Sequence, residues 1–449
     1  MPTFGVHKSA ITMAEVRLHL PSSTASQRVG WLSEVGDSLR LSFDPEYVGN
    51  AGRLTLSQLY RGATAQETVQ ILNAVNDERL VRVKLLPAFF SNLLPEGRNR
   101  ERLAQRRGCD VTDELNLLAA AGHDLSGAVE VLPGLQVPSD VLELHVTQHL
   151  DAIEPLAVAA PLEDGFSVDG FQTKFSAVQD GERYVVRSGD TAGSFLAKLP
   201  YAQHPDVVRN EATCYRLAAA VGMNTAQVSV EPIDKLDVPD SVKETFDQFL
   251  LVRRFDRVAL PDGLTGRIHF EELTQALGID ARHKYRNLEG AMRALLVMLK
   301  SSDASGQQDI DEFFRRWTVN ALMGNTDAHA KNWGLLYPDG IHPVLAPAYD
   351  LVCVAAYFDP LVGMRLATNE RMDRSLRMWG EDAAEALAKS ANLLTFNRVR
   401  KVVRDTQKLA AATWPALLQD APLSVRETIL ERLRSMVRAP IKPARLERQ

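Results

Sequence analysis

Two stretches in the second half of the chain repeat apolar residues every three or four positions. The first stretch comprises Leu288, Ala291, Met292, Leu295, Leu296 and Leu299. The second stretch comprises Ile310, Phe313, Phe314, Trp317 and Ala321. Because an α-helix has about 3.6 residues per turn, this spacing predicts two amphipathic helices whose apolar faces belong to the core. The second helix is predicted to end at Gly324, so that buried Phe313 and Trp317 anchor the segment that follows.

The remaining pattern divides the chain into a mixed first part, a strand-rich middle and a helical end. Alternation and apolar runs predict short strands at residues 16–20 and 39–43. Helical spacing predicts helices near residues 64–76 and 98–107. Residues 165–258 are rich in strand-like segments, and helical periodicity dominates after them.

The last helix carries a recognisable start signal. Ser424 is followed three residues later by Glu427, which is the spacing of a capping box. This pattern predicts a helix that buries Ile429, Leu433 and Met436.

Composition narrows the class of protein without deciding its function. A chain of 449 residues is long enough for two or three domains with substantial cores. With 51 basic and 57 acidic residues the net charge is −6, which argues against nucleic-acid binding by the whole surface. Cys109, Cys214 and Cys353 lie far apart, so the sequence indicates neither a disulfide framework nor a zinc site. The sequence has no long apolar segment, and we expect a cytosolic protein with no membrane partner.

The segment TDAHAKNWGLL at residues 326–336 carries the main candidate chemistry. Asp327 and Asn332 have the spacing of a kinase catalytic loop, in which the aspartate accepts the proton of the attacking hydroxyl and the asparagine binds magnesium. The apolar run after Asn332, a Pro-Asp-Gly turn and a second apolar run predict a β-hairpin. Because a hairpin brings its two ends together, Asn332 and Asp350 are predicted to share a magnesium ion.

A strand lysine and a glycine-bearing turn lie upstream of this loop. Lys198 ends a strand-like stretch, and Glu211 lies near the start of a helix predicted to run from about Asn210. This is the pairing with which protein kinases hold the α- and β-phosphates of ATP. The turn at residues 165–174 has glycines that allow backbone amides to approach phosphates, but it is not a Walker A loop.

Each of these features also has an ordinary structural interpretation. Asp and Asn are common in turns, a strand lysine is usually a solvated edge charge, and Glu211 suits a helix start. His329 is either a structural hydrogen-bonded group or a residue that contacts a phosphate or orients Asp327. The combination of these features, and no one of them alone, favours the kinase interpretation.

Several motifs in one order resemble the HipA family, the serine/threonine-kinase toxins of bacterial toxin–antitoxin pairs. They are Ser167-Val168-x-Gly170-x-Gln172-x-Lys174, Lys198 before Leu-Pro, Arg254-Phe255-Asp256-Arg257, Asp327-x-His329-x-Lys331-Asn332 and Tyr349-Asp350. Residues 89–97 and 126–129 also look like the amino-terminal region of that family. The resemblance covers nearly the whole chain.

The resemblance implies a role for each matching position. Asp327 is expected to be the proton acceptor, and Asn332 and Asp350 are expected to bind magnesium. The turn at residues 165–174 is expected to be the loop that covers the nucleotide. Autophosphorylation of Ser167 is expected to expel this loop and switch the kinase off, because the charge of the phosphate group repels the triphosphate. The residues expected to bind ATP are Asp169, Gly170, Phe171, Gln172, Thr173, Lys174, Lys198, Arg253, Arg254, Phe255, His329, Ala330, Lys331, Asn332, Tyr349 and Asp350.

These motifs depart from common patterns in two places. Asp169 and Phe171 stand where family members often have small residues, and an extra carboxylate beside phosphates opposes nucleotide binding. The Asp-Phe-Gly motif of ordinary protein kinases is replaced by Asp350-Leu351-Val352.

The resemblance implies an α+β, two-lobed protein-kinase-like fold with an additional N-terminal α/β subdomain and a mainly helical C-terminal lobe. Residues 1–150 are predicted to form the N-terminal subdomain. Residues 151–258 are predicted to form the kinase N-lobe with the loop and the hinge, and residues 259–449 the C-terminal lobe with the catalytic loop.

The function implied is an ATP- and magnesium-dependent protein kinase that halts translation and promotes persistence. Its expected substrate is an aminoacyl-tRNA ligase such as glutamate-tRNA ligase, and its expected partner is a HipB-like helix-turn-helix antitoxin that binds operator DNA. Two alternatives stay open, namely a small-molecule kinase and a catalytically silent corepressor.

One basic stripe could add to DNA binding. Arg400, Arg404 and Lys408 fall on one face of a predicted helix, with Lys401 adjacent. Such stripes are most often solvated faces, and contact with DNA phosphates beside the antitoxin is the alternative.

Overall fold

The computed structural model describes residues 9–134, 153–160, 162, 174–186, 193–201, 204–261, 263–301, 306–357 and 366–437. Its strands are β1 Ser9–His19, β2 Ser26–Val35, β3 Ser38–Phe43, β4 Val81–Val83, β5 Val129–Pro133, β6 Ile153–Ala157, β7 Lys174–Asp180, β8 Arg183–Val186, β9 Phe195–Lys198, β10 Gln227–Pro232, β11 Leu236–Asp237, β12 Gln248–Arg253, β13 Arg257–Ala259, β14 Thr265–Arg267, β15 His269–Glu272, β16 Gly334–Tyr337 and β17 Val344–Leu345.

Fourteen α-helices have described bounds. They are α1 Pro45–Gly49, α2 Ala65–Leu72, α3 Ala88–Ser91, α4 Gly97–Arg107, α5 Glu114–Ala120, α6 Val207–Ala220, α7 Asp240–Lys243, α8 Leu273–Ala276, α9 Leu288–Lys300, α10 Gly306–Met323, α11 Leu366–Arg377, α12 Glu381–Ser390, α13 Phe396–Leu417 and α14 Leu423–Met436.

The chain forms two compact units. The first unit comprises Met1–Phe195, Asp256–Arg282 and Tyr337–Ile341, and the second comprises Leu196–Phe255, His283–Leu336 and His342–Gln449. Both units are therefore discontinuous in sequence. The division into residues 1–150, 151–258 and 259–449 stays a prediction.

The first unit is built on a sheet with strand order β4-β3-β2-β1-β5, in which β6 also pairs with β1. Strand β1 runs antiparallel to β2 and β5 and parallel to β6. Because side chains alternate along a strand, Val16 and Leu18 join the main core on one face, while Met13 joins Trp31 on the other. Phe89, which follows β4 in the chain, is fully buried in the main core.

The second unit combines the strand order β10-β12-β9 with helices α6, α9, α10, α12, α13 and α14. Helix α13 packs on α10 and α6, and its Trp414 donates from Nε1 to the backbone oxygen of Leu217 at 2.8 Å. The apolar faces predicted for α9 and α10 are buried, with Leu295, Leu299 and Phe313 at 0% exposure. These two helix predictions are confirmed, as is the hairpin of β16 and β17, which pairs Leu335 with Leu345.

Helix α10 ends as its sequence predicts. Gly324 adopts φ +70°, and its N–H donates to the backbone oxygen of Ala321 at 3.3 Å. The N–H of Asn325 donates to the backbone oxygen of Asn320 at 3.0 Å. These two bonds form a Schellman motif, which turns the chain sharply into residues 325–332.

Two helix starts differ from the prediction. The capping box at Ser424 and Glu427 is wrong, because α14 already begins at Leu423, and Pro422 is its N-cap with no side-chain hydrogen bond. The backbone of Pro422 is extended at ψ 140°, which places the helix start one residue before Ser424. Helix α6 begins at Val207, three residues before Asn210.

Candidate active site

Lys198 lies in the second unit as the last residue of β9, with 5% of its surface exposed. Its Nζ donates to Oε1 of Glu211 on α6 at 2.6 Å and to Oδ1 of Asp350 at 2.5 Å. Burial alone lowers the pKa of the ammonium, but the two carboxylates outweigh burial and raise the pKa well above its ordinary value. Lys198 is therefore held as a buried cation.

Asp350 follows the hairpin and has an unusual backbone. Its φ is +53°, in the left-handed region that non-glycine residues seldom occupy. Its N–H donates to the hydroxyl of Tyr215 at 3.1 Å, and its carbonyl oxygen accepts from Nδ2 of Asn325 at 3.4 Å. These bonds hold the strained backbone in place and direct the carboxylate toward Lys198.

Asp327 is held at its backbone by two asparagines. Its N–H donates to Oδ1 of Asn325 at 3.3 Å, and its carbonyl oxygen accepts from Nδ2 of Asn332 at 2.8 Å. Its carboxylate accepts a short hydrogen bond from the hydroxyl of Tyr285. Asp327 is thus held both at its backbone and at its carboxylate, as a catalytic base would need to be.

The loop that carries Asp327 rests on buried aromatic rings. Trp333 is fully buried, and its ring lies 5.1 Å from Phe313 and 5.6 Å from Trp317, both on α10. Arg432 of α14 donates from Nη1 to the backbone oxygen of Ala321 at 2.8 Å, which supplies a partner for a carbonyl at the end of α10. The anchor predicted from Phe313 and Trp317 is present.

A continuous series of hydrogen bonds joins residues that are far apart in the chain. It runs through Glu211, Lys198, Asp350, Asn325, Asp327 and Asn332. The candidate lysine, the candidate base and the two candidate metal ligands therefore lie together in the second unit.

The side chains of Asn332 and Asp350 suit a hard cation. Magnesium prefers amide and carboxylate oxygens over nitrogen or sulfur. The amide nitrogen of Asn332 is engaged by the backbone of Asp327, so its amide oxygen is the atom that this side chain can offer. The side chain of Asp350 is 38% exposed and can turn toward a ligand.

The remaining residues of the predicted catalytic loop are mostly buried. Ala330, Lys331 and His329 are exposed by 2%, 4% and 6%. The hydroxyl of Tyr349 donates to the backbone oxygen of Lys331 at 2.7 Å, and the Tyr349 ring lies 5.9 Å from that of Phe255. Tyr349 therefore connects the catalytic loop with the chain that follows β12.

Arg253 and Arg254, both predicted to bind ATP, lie at the end of strand β12 and directly after it. Arg253 is the last residue of that strand and is exposed, whereas Arg254 is buried at 7% exposure.

Lys174 is the first residue of β7 in the first unit. Six predicted residues lie outside the described part of the chain, namely Ser167, Asp169, Gly170, Phe171, Gln172 and Thr173.

Three residues at the site carry no prediction from the sequence. Asn325 stands two residues before Asp327, which is a spacing at which an Asn side chain commonly bonds the backbone, so a local signal existed. Tyr215 and Tyr285 reach Asp350 and Asp327 from distant parts of the chain. No local pattern could have indicated them.

The basic stripe on α13 is largely neutralised by acids of α12. Arg400 donates to Asp382 at 2.8 Å and to Glu385 at 2.7 Å. Arg404 donates from Nε to Glu381 at 2.9 Å. These pairs favour the solvated-face interpretation over contact with DNA phosphates.

In the part of the chain that the structure describes, no helix is both long and apolar enough to span a membrane.

Comparison with known proteins gives a consistent result along the chain. Residues 23–132 match the family model of the HipA N-terminal domain, and residues 166–414 match that of the HipA-like C-terminal domain. The protein Y4dM of Sinorhizobium fredii is 30% identical over 423 residues, covering 93% of this chain and 94% of that protein. The serine/threonine-protein kinase toxin HipA of Shewanella oneidensis is 29% identical over 347 residues, covering 72% of this chain and 76% of that protein.

The same fold is found in a solved complex of HipA with HipB and operator DNA from Shewanella oneidensis. The HipA-like chain there superposes with a TM-score of 0.63 at 19% identity, covering 94% of this chain and 96% of that one. The expected α+β, kinase-like fold with a helical C-terminal region is thereby confirmed.

Proposed function

This chain belongs to the HipA family, and on that premise we propose that it is an ATP- and magnesium-dependent serine/threonine-protein kinase, the toxin of a toxin–antitoxin pair. The observation that carries the proposal is the hydrogen-bonded series from Glu211 to Asn332. It brings a charged lysine, a candidate base and two oxygen ligands into one site, which is the set that phosphoryl transfer requires. A binding module has no need of all four.

Asp327 acts as the proton acceptor for the substrate alcohol. The alcohol oxygen attacks the terminal phosphorus of ATP, the bond to the bridging oxygen breaks, and ADP leaves. The alcohol proton passes to the carboxylate of Asp327, whose backbone is held by Asn325 and Asn332. The main contribution of Asp327 is its position, because phosphoryl transfer requires little covalent chemistry from the protein.

Lys198 binds the phosphates of ATP while Glu211 keeps it in place. Glu211 is 1% exposed, so loss of its bond to Lys198 would leave its charge in a buried environment without that cation. Asp350 is 38% exposed and can exchange its bond to Lys198 for a bond to a cation. Bound magnesium would be held by Asp350 and Asn332 and would neutralise charge on the phosphates.

The nucleotide base and the remaining phosphate contacts are assigned by family membership. Backbone groups of Arg253 and Phe255 contact adenine, with Arg254, His329, Ala330, Lys331 and Tyr349 lining the same site. The same assignment gives residues 169–174 a role in binding the phosphates. Phosphorylation of Ser167 would add about two negative charges close to them in the sequence, which disfavours a bound triphosphate and switches the kinase off.

The proposed substrate and partner also follow from family membership. We assign an aminoacyl-tRNA ligase, with glutamate-tRNA ligase as the leading candidate, so that phosphorylation halts translation in the cytosol and promotes persistence. The Shewanella oneidensis complex contains HipB and operator DNA. By analogy, a HipB-like antitoxin binds this chain and makes the main contacts with operator DNA.

Incubation of the full-length protein with radiolabelled ATP, magnesium and cell lysate tests the proposal. We expect label in Ser167 and in at least one lysate protein. The Asp327→Asn variant should lose transfer by roughly 10²-fold to 10⁴-fold while nucleotide affinity stays nearly intact, because the base is not a phosphate ligand. Asp405→Asn is the matched control, since this exposed aspartate pairs with Lys401 on α13 at 2.6 Å.

Each outcome separates the proposal from its alternatives. ATP turnover without labelled protein would indicate a small-molecule kinase. Failure to turn over ATP at all would indicate a corepressor that has lost catalysis. Loss of ATP binding in Asp327→Asn would contradict the role assigned to that residue.

A further inference from the structure

Tyr285 contacts the candidate base directly. It lies between the 3₁₀ turn Ala281–His283 and helix α9, and it is 37% exposed. Its hydroxyl donates to Oδ1 of Asp327 across 42 residues of sequence. A carboxylate has two oxygens, so a donor on one of them determines the direction in which the other faces.

The ring of Tyr285 is itself held by the catalytic loop. It meets His329 edge to face, with ring centroids 4.9 Å apart and an angle of 83° between the planes. Nζ of Lys284 lies 5.9 Å from the centre of the Tyr285 ring. The N–H of Ala330 donates to the backbone oxygen of Lys284 at 3.1 Å, which joins the two segments. His329 thereby acquires a role, because it supports the ring whose hydroxyl reaches Asp327.

The backbone bonds of Asp327 do not determine the rotation of its carboxylate. Asn325 and Asn332 bind its N–H and its carbonyl oxygen, and both contacts lie before the first side-chain torsion. The torsion next to a carboxylate is broad, so these two backbone contacts by themselves do not set the orientation of the carboxylate. Misplacement of a reacting group by about 1 Å can cost roughly 100-fold in rate.

We propose that Tyr285 is a positioning residue for phosphoryl transfer, which holds the carboxylate of Asp327 in the orientation that accepts the proton of the substrate alcohol. The inference rests on the proposed kinase function. Tyr285 keeps its own proton throughout, and the alcohol proton goes to Asp327. The hydroxyl also stabilises the charged carboxylate, as a donor to an ionised group does.

The Tyr285→Phe variant removes the hydroxyl and retains the ring against His329. Because a hydrogen bond to a charged group is lost, we expect kcat to fall by about 10-fold to 100-fold. The KM for ATP should stay within about twofold, because Tyr285 is not among the residues expected to bind ATP. Tyr47→Phe in the first unit is the matched control, since it also loses one hydroxyl, which donates to the backbone oxygen of Leu54 at 2.6 Å. Its kcat should be unchanged.

A second comparison distinguishes positioning from a general structural effect. In an Asp327→Asn background, Tyr285→Phe should cause no further loss of transfer, because the carboxylate it orients is already gone. A further loss in that background, or an equal rise in the KM for ATP, would overturn the inference. An unchanged or raised kcat in Tyr285→Phe alone would also overturn the inference. A raised kcat would identify the Tyr285 hydroxyl as a group that competes with the substrate.

Failure of the kinase proposal itself has a different signature. If neither the wild-type protein nor Asp327→Asn transfers phosphate, both the proposed function and the inference fail. If the wild-type protein transfers phosphate and Tyr285→Phe matches it, the inference alone fails.

Discussion

Replacement of Lys198 by methionine should destabilise the second unit through Glu211 more than through Asp350. Methionine keeps most of the length of the side chain and removes its charge. Glu211 is 1% exposed and would then carry a buried charge with no cation at the 2.6 Å position that Nζ occupies. The carboxylate of Asp350 is 38% exposed, so water can replace much of the interaction with Lys198 that it loses.

The expected magnitude follows from this difference in burial. Removing one partner of a buried ion pair costs about 3–5 kcal/mol. An ion pair that is accessible to water contributes about 0–1 kcal/mol. We therefore expect Lys198→Met to lower the free energy of unfolding by about 3–5 kcal/mol, nearly all of it due to Glu211.

The double variant Lys198→Met/Glu211→Gln is the matched control. It removes both buried charges, so most of the lost stability should return, to within about 1–2 kcal/mol of the wild type. Nucleotide binding should not return, because the proposed phosphate ligand is still absent. Stability and ligand binding are thereby separated in one pair of variants.

Urea unfolding followed by tryptophan fluorescence measures these differences. Trp317, Trp333, Trp379 and Trp414 belong to the second unit and Trp31 to the first, so the signal reports mainly on the second unit. If the double variant is as unstable as Lys198→Met, the buried charge of Glu211 is not the cause. Nucleotide affinity that survives in either variant would refute the phosphate-binding role.

Three further predictions concern other parts of the molecule. Gly324→Ala should lower the free energy of unfolding by about 2–4 kcal/mol, because a Cβ at φ +70° would lie 2.6 Å from Nε of buried Arg432. Gly36→Ala is the control and should lower it by only about 1–2 kcal/mol, because Gly36 has φ +56° with open space around it. Equal losses of the two variants in urea unfolding would contradict this reasoning. Burial raises the pKa of Glu271 to about 7, above the ordinary value of 4.5, so the stability that comes from its protonated form is present below about pH 4.5 and is lost as pH rises through 7. Relative to Glu271→Gln, the wild type should therefore lose about 2–3 kcal/mol between pH 5 and pH 8, and a constant difference in unfolding free energy would count against it. Arg404→Gln should leave the salt dependence of operator binding by the toxin–antitoxin complex unchanged, and a shallower slope would restore the DNA-contact hypothesis.

Much of the local structure was predictable because it depends on neighbouring residues. The apolar repeats of α9 and α10 match the helical period, and Gly324 provides the left-handed residue that a Schellman motif needs. The hairpin of β16 and β17 follows from its turn residues. Lys198, Asp327 and Asn332 could be selected because their spacing and flanking segments resemble those of kinases.

Other features depended on contacts that no local pattern contains. Arg400 and Arg404 look like a free basic stripe in the sequence, yet acids of α12 engage both of them. The start of α14 differs from the prediction because Pro422, and not Ser424, is its N-cap. Tyr285 and Tyr215 lie in segments with no signal of chemistry, and they reach the site only through the path of the chain.

The sequence by itself determined the helices, the hairpin and the types of residue that could carry phosphoryl transfer, because periodicity and turn chemistry act over a few residues. Only the tertiary structure decided which of those residues meet. The bond between Lys198 and Asp350 spans 152 positions, and that between Tyr285 and Asp327 spans 42. Such contacts depend on how the elements of the second unit pack together, and burial of the connected groups then sets their charge and orientation.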